Sequence, residues 1–280
     1  MRVGVGLPAT IPGTPGSLLI EWARRAEAGP FSSLSSLDRL LYDNYEPLTA
    51  LAAAAAVTER IALAATIVIA PLRSTATLAK QAATLDALSG GRLVLGVGLG
   101  AREDDYEIAG VPLRGRGRRL GDQLAELRRL WDVTAMGPSA RRSTGPRLLV
   151  GGGGGLAAAR MARYADGYVH SGGPARAFAR AAAEARAAWE DAGRPGAPEL
   201  WGMAYFQLGD RAHEGSSYLL DYYAFTGPFA ERIAAGLLTE PDDIHQFLRD
   251  YRDAGCDELI LFPTVPRLDQ LDRLTEVVGG

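Results

Sequence analysis

Residues 61–101 read IALAATIVIAPLRSTATLAKQAATLDALSGGRLVLGVGLGA. An apolar run ends at Pro71-Leu72-Arg73, and a helical pattern with Lys80 on its polar side follows. Gly90-Gly91 stops that helix, because glycine accepts the left-handed backbone that ends a helix. A second apolar run then leaves through the alternating glycines Gly96, Gly98 and Gly100. The stretch is one β-α-β unit whose two strands must run parallel, since a helical crossover joins them. In a parallel sheet, ligands collect where the strands end, so both exits are candidate site positions.

The same rhythm extends outward in both directions. Strands are predicted over Val3–Leu7, Leu34–Leu37 (weakly), Ile61–Ile69, Arg92–Leu99, Leu148–Val150, Gly167–His170, Leu200–Leu208 and Glu258–Phe262. They are too short and too uniformly apolar for helices, and Gly, Pro or Asp bounds them, as expected of buried parallel strands. Helical stripes alternate with them: Leu120, Leu124, Leu127 and Trp131; Phe178, Ala182, Ala185 and Trp189; Ile244, Phe247, Leu248 and Tyr251. Each places its apolar side chains on one face. Eight strands alternating with helices predict a (β/α)8 TIM barrel, a single domain over residues 1–280. The rhythm breaks once, in an insertion at 209–238 between strand 7 and helix 7. Its Tyr218, Tyr222, Tyr223, Phe225 and Phe229 suit a lid over an apolar guest, or a helical excursion that packs on itself.

Composition narrows the function. The chain has 280 residues, 47% of them hydrophobic, and a net charge of −3, which gives no electrostatic reason to expect nucleic acid or an anionic membrane. No apolar run is long enough to span a bilayer. The chain opens on a strand rather than a signal-peptide core, and Cys256 stands alone, so a reducing cytoplasmic setting is the expectation. Lys80 is the only lysine and lies mid-helix, which argues against a Schiff-base aldolase. His170, His213 and His245 are scattered, so no metal site is expected.

Gly151, Gly152, Gly153, Gly154 and Gly155 stand between a strand and a helix. Bare backbone there can bring N–H groups to an anion at the helix start, which favours a phosphate site over a flexible turn. The next exit, His170-Ser171-Gly172-Gly173, adjoins it, and together they suit the phosphate cradle many barrels build late in the chain. His170 is equally an ordinary strand-end histidine. Gly152-x-Gly154-x-x-Ala157 loosely fits a dinucleotide fingerprint, but no acidic strand end follows about twenty positions on.

ATIVIAPLR, LAKQAATLDALSGGRLVLGVGLG, DYEIAGVPLRGRGRRL, LLVGGGGG with RYADGYVHSGG, and AGCDELILFP together resemble the luciferase-like monooxygenase family. The resemblance implies reduced FMN or coenzyme F420 across the C-terminal mouth of the barrel. The ring would rest on the third strand, at a bulge with a non-prolyl cis peptide mapping to Ile67–Val68. Its phosphate would sit on Gly151–Gly155 and His170–Gly173, with Gly98 and Gly100 leaving room for ring or ribityl chain. Family members often carry Asp-His at the second strand; this chain reads Leu37-Asp38-Arg39. The histidine's proton role does not carry over, and Arg39, as an arginine, is a poor proton shuttle. It either donates to a substrate or F420 carboxylate, or is a surface arginine. Asp104-Asp105-Tyr106 replaces the glutamate common after the fourth strand, and Asp105 either faces the cofactor or belongs to a solvated helix start. Asp38, Arg39, Asp105 and His170 are therefore the candidate catalytic residues.

The implied activity is oxidation or reduction of a small, hydrophobic substrate, by oxygen chemistry on FMN supplied by a separate reductase or by hydride exchange with F420. A different class is a cofactor-binding but catalytically idle relative, a subunit or flavin carrier. The resemblance also implies a homodimer through the helices near 48–57 and 75–88.

Overall fold

A computed structural model describes residues 1–132, 136–138, 145–209 and 212–279. Eight parallel strands close into a barrel in sequence order: β1 (Arg2–Gly6), β2 (Ser33–Ser36), β3 (Ala62–Ile69), β4 (Leu93–Gly98), β5 (Arg147–Gly151), β6 (Gly167–Val169), β7 (Glu199–Phe206) and β8 (Glu258–Pro263). Helices α1 (Gly16–Ala28), α2 (Pro47–Ala55), α3 (Thr75–Leu88), α4 (Glu103–Ile108), α5 (Arg116–Asp132), α6 (Gly155–Tyr164), α7 (Ala175–Asp191), α8 (Ala212–Tyr222), α9 (Phe229–Ala234), α10 (Pro241–Asp253) and α11 (Leu268–Gly279) complete it. The (β/α)8 barrel expected from the alternating pattern is the observed fold. The predicted second strand is there, short and serine-rich, over Ser33–Ser36.

Local chemistry sets the helix starts. Glu46 caps α2 by accepting from the backbone N–H groups of Leu48 and Thr49, and Pro47 occupies the first helical position, where no donor is missed. Ser74 caps α3 by accepting from the N–H of Thr77. The stripe Phe178, Ala182, Ala185 and Trp189 is the buried face of α7.

Each strand sends alternate side chains to two cores. Val5, Leu34, Leu63, Leu95, Leu148, Val150, Leu259 and Leu261 face the helices. Ala64, Val94, Leu149, Val169, Trp201, Met203, Tyr205, Ile260 and Phe262 line the barrel axis. That inner lining is lopsided. The bulky residues come from β7 and β8, and Gly6 of β1 makes room for one of them, while the glycines of β4 and β5 make room for Ile67 of β3. A Cβ on Gly6 would collide with the Phe262 ring. At the N-terminal end a polar floor closes the axis: Glu258 accepts from Arg2 Nε at 2.6 Å and from the hydroxyls of Ser32 and Ser33 at 2.5 Å each. A guest therefore has the C-terminal mouth as its entrance.

The insertion lies between β7 and α10 and contains α8, a 3-10 turn over Ala224–Thr226, and α9; its residues 210 and 211 lie outside the described residues. β7 stops earlier than the predicted Leu208, because Gln207 N–H turns to the Leu238 carbonyl at 2.9 Å and closes the base of the insertion. Gly215 of α8 sits so tightly on the rim that a Cβ there would strike Thr264 and Gln207.

Candidate active site

β3 forms one wall of the mouth. Its pairing with β4 shifts register between Ala65 and Val68, so the strand bulges, and the peptide bond Thr66–Ile67 is cis. The family resemblance places that bond at Ile67–Val68, one peptide later. The bulge turns Ile67 to the inner face, where three glycines enclose it. A Cβ would lie 3.2 Å from Ile67 Cγ2 at Gly96, 2.8 Å from Ile67 Cδ1 at Gly98 and 2.8 Å from Ile67 Cγ2 at Gly151. At Gly100 the neighbour is Ile69 Cγ2, 2.7 Å away. Gly98 and Gly100 thus make room for the bulged strand itself, a different occupant from the cofactor expected there. Val68, the other bulge residue expected to touch cofactor, is fully buried against the helices.

Asp38 and Arg73 brace this wall. Arg73 Nη2 donates to both Asp38 oxygens at 3.0 and 2.9 Å, Ile69 N–H donates to Asp38 Oδ2 at 2.9 Å, and Arg73 Nη1 reaches Glu46 at 2.8 Å. Burial pushes the Asp38 carboxyl up, against the pull of Arg73 and the Ile69 N–H. Gln123 Nε2 adds bonds of 3.0 Å to the carbonyls of Ala70 and Arg73. These contacts make Asp38 a brace for the end of β3.

Arg39 is not a surface arginine. Its side chain is 12% exposed and pairs with Asp104 at 3.2 Å, and its guanidinium lies 4.3 Å from the centre of the Tyr42 ring. Asp105 is buried, and its Oδ1 accepts the N–H groups of Leu40 and Leu41 at 2.9 and 2.7 Å. It is thus no part of a solvated helix start. It anchors the loop after β2, while its other oxygen is buried without a partner.

The exits of β5 and β6 meet as expected. The Tyr168 hydroxyl donates to the Gly152 carbonyl at 2.5 Å and lies 3.4 Å from His170 Nδ1. Gly154, at φ +76, precedes α6, and no side chain caps that helix start. A Cβ on Gly153, Gly154, Gly155 or Gly173 would meet nothing within 4 Å. Gly172 is packed on the Met203 carbonyl, and Tyr251 holds the Gly173 carbonyl at 2.8 Å. Ser171 is exposed. His170 Nε2 is buried with no partner. Burial lowers the His170 pKa; a hydrogen bond to the Gly172 backbone opposes the shift and Arg180 adds to it. The arrangement offers bare N–H groups, open space and an unspent ring nitrogen, which fits a phosphate tail.

The sequence reading missed the polar residues under the insertion. Tyr218 and Thr10 hydroxyls share a hydrogen bond at 2.8 Å, Tyr42 donates to Asp221 at 2.5 Å, and Tyr205 and Tyr223 hydroxyls lie 2.7 Å apart. Arg102 Nη2 donates to the Tyr222 carbonyl at 3.0 Å, with its guanidinium 4.4 Å from the Tyr222 and Phe225 ring centres. The aromatic cluster in the insertion was legible; Arg102 and Tyr205 stand in apolar or loop contexts that carry no motif. Among the described residues no His, Cys, Asp and Glu group could hold a metal ion, and no helix is long and apolar enough to cross a membrane.

Comparison with known proteins agrees with this fold. Uncharacterized protein Rv0940c of Mycobacterium tuberculosis is 32% identical over 211 residues, 62% of this chain and 72% of that protein. The fold matches an F420-dependent secondary alcohol dehydrogenase in complex with an F420-acetone adduct, at TM-score 0.81, 17% identity and coverage of 99% and 98% of the two chains. It also matches the oxygenating constituent of 3,6-diketocamphane monooxygenase from Pseudomonas putida, in complex with FMN, at TM-score 0.77, 15% identity and coverage of 99% and 96%. The family model for luciferase-like monooxygenases matches residues 1–255, and the chain belongs to that family.

Proposed function

We propose that the protein is an oxidoreductase that binds FMN or coenzyme F420 at the C-terminal mouth and acts on a small, hydrophobic organic substrate. The observation that carries this is the joined pair of strand exits: Gly153, Gly154 and Gly155 open at an uncapped helix start, beside the unpartnered Nε2 of His170. That cradle matches the chemistry of a phosphate, and both candidate cofactors carry one. Similarity in fold to an F420 enzyme and to an FMN enzyme supports either cofactor.

The bound cofactor supplies the redox chemistry. The chain's own residues bind and shield it. Backbone N–H groups at the start of α6 and the His170 ring hold the phosphate, and the β3 bulge, braced by Asp38 and Arg73, presents Ile67 as an apolar wall. Tyrosines of α8 cover the mouth and limit water. Arg39, charged, ion-paired and stacked on Tyr42, acts as a fixed cation rather than a proton shuttle. Under the oxygenase reading a separate reductase would deliver reduced FMN. Pairing of two copies through α2 and α3 belongs to the same proposal.

Arg39, standing where relatives often carry histidine, favours a second reading: a cofactor-binding protein without turnover. Anaerobic titration with FMN and with F420, followed by turnover assays on alcohols, ketones and aldehydes, separates the readings. Binding of one cofactor with turnover supports the enzyme. Binding without turnover supports the carrier, and binding of neither contradicts both.

A further inference from the structure

We infer that the hydroxyl pair of Tyr205 and Tyr223 is the point at which a substrate oxygen binds, and that the substrate is an apolar molecule with a lone carbonyl or hydroxyl oxygen. The inference rests on the proposed cofactor site and names what lies opposite it. Tyr205 is the uppermost inward side chain of β7, above Trp201 and Met203. Tyr223 arrives from the insertion, just past α8, and its hydroxyl is 2.7 Å from that of Tyr205.

A phenol has one O–H donor. The shared hydrogen bond uses one of the pair's two hydrogens, and neither hydroxyl has another partner among the described residues. One donor is therefore left unspent in a largely apolar setting. The surroundings are the Phe262 ring, 6.1 Å from that of Tyr205, and the Tyr222 and Phe225 rings, 5.1 and 6.3 Å from that of Tyr223. Among the described residues the charge that acts on Tyr223 is the Arg102 guanidinium, 5.8 Å from the Tyr223 ring centre, and it is a donor too. Burial pushes both phenols above the ordinary tyrosine value, so both hydrogens are in place at neutral pH. Tyr205 is buried and Tyr223 half-buried, so the spare donor is partly shielded from water, and a ligand oxygen can take it.

Position strengthens the inference. β7 stands four strands from β3 in either direction round the closed barrel. A flat ring resting on Ile67 would face the tyrosine pair across the mouth. A substrate between them meets the ring on one side and the spare O–H on the other. The rings packed round the pair are those of Phe262, Tyr222 and Phe225, so the pair itself addresses one substrate oxygen in mainly aromatic surroundings.

The test uses a matched pair of probes, cyclohexanone and methylenecyclohexane, which share a shape and differ in the acceptor oxygen. The full-length protein is titrated with FMN and with F420, then with each probe, followed by saturation-transfer NMR. The expected result is ketone binding about fivefold to tenfold tighter than the alkene, the effect of one neutral hydrogen bond. Tyr205→Phe and Tyr223→Phe each keep one phenol O–H, now released from the pair, and so keep a preference for the ketone. Their combination brings the ratio to about one and leaves cofactor affinity unchanged. Equal binding of the two probes to the wild-type protein, failure of both to bind, or an unchanged ratio in the double variant overturns the inference. Should the double variant misfold, the wild-type ratio and the single variants decide. Loss of cofactor binding with the probe ratio intact overturns the proposed cofactor site and leaves the tyrosine pair standing.

Discussion

The Tyr168 hydroxyl donates to the carbonyl of Gly152 across 2.5 Å and so ties the exit of β6 to the glycine run after β5. One bond thus couples two backbone turns that share no other side-chain link of this kind among the described residues. Tyr168→Phe removes the bond without opening a cavity and leaves the carbonyl unpaired. We expect a stability loss of about 1–2 kcal/mol and FMN or F420 affinity reduced about fivefold. Thermal melts and cofactor titration read the two effects. Unchanged affinity would mean the glycine run is not held for a phosphate.

Asp38 is a brace, and its removal should be felt in folding before chemistry. Asp38→Asn leaves Arg73 with Glu46 alone and weakens the acceptor for the Ile69 N–H. Breaking a buried ion pair from one side costs about 3 kcal/mol. Denaturant unfolding should show a lower midpoint at unchanged slope. A variant of native stability with abolished turnover would instead assign Asp38 a chemical role.

The inner lining makes a reciprocal packing prediction. Gly6→Ala drives a methyl into the Phe262 ring and should destabilise by about 1–3 kcal/mol, the usual cost of overpacking. Adding Phe262→Leu should recover a good part of it. Additive losses in the double variant would show that Gly6 is required for another reason.

Acid should weaken the protein partly through Glu27. Burial raises its pKa, but the N–H groups of Glu59, Arg60 and Ile61, all donating to its carboxylate, and the Arg60 charge outweigh that, and the net is below the ordinary 4.5. A carboxyl with a depressed folded pKa stabilises the fold above its unfolded value and loses that contribution as pH falls through the folded value. Glu27→Gln should therefore flatten the stability profile below about pH 5. A profile identical to that of the wild-type protein would contradict the effect.

Backbone organisation was the legible part of this sequence. Continuous apolar runs and glycine stops place the strands because a strand buried on both faces has no polar side to mark it. The 151–155 and 170–173 turns were legible for the same reason, since glycine there has no other common use. Side-chain roles were harder. Asp38 and Asp105 look like candidate catalysts until their oxygens are seen to hold Arg73, Ile69, Leu40 and Leu41. The space at Gly98 reads as room for a guest until Ile67 is seen in it. Tyr205 escaped notice because it sits in an apolar strand, and its partner Tyr223 is eighteen residues away across the start of the insertion.

The cofactor site is tested most directly at Gly153. Its Cβ would stand in open space, and its backbone does not need the left-handed region, so Gly153→Leu should fold normally while filling the cradle. Fluorescence titration of the wild-type protein and this variant with FMN and with F420 is the measurement. The expected result is micromolar binding of one cofactor to the wild type and a loss of about tenfold or more in the variant, which corresponds to ~1.4 kcal/mol. Wild-type protein that binds neither cofactor, or a variant that binds as tightly as the wild type, would contradict it.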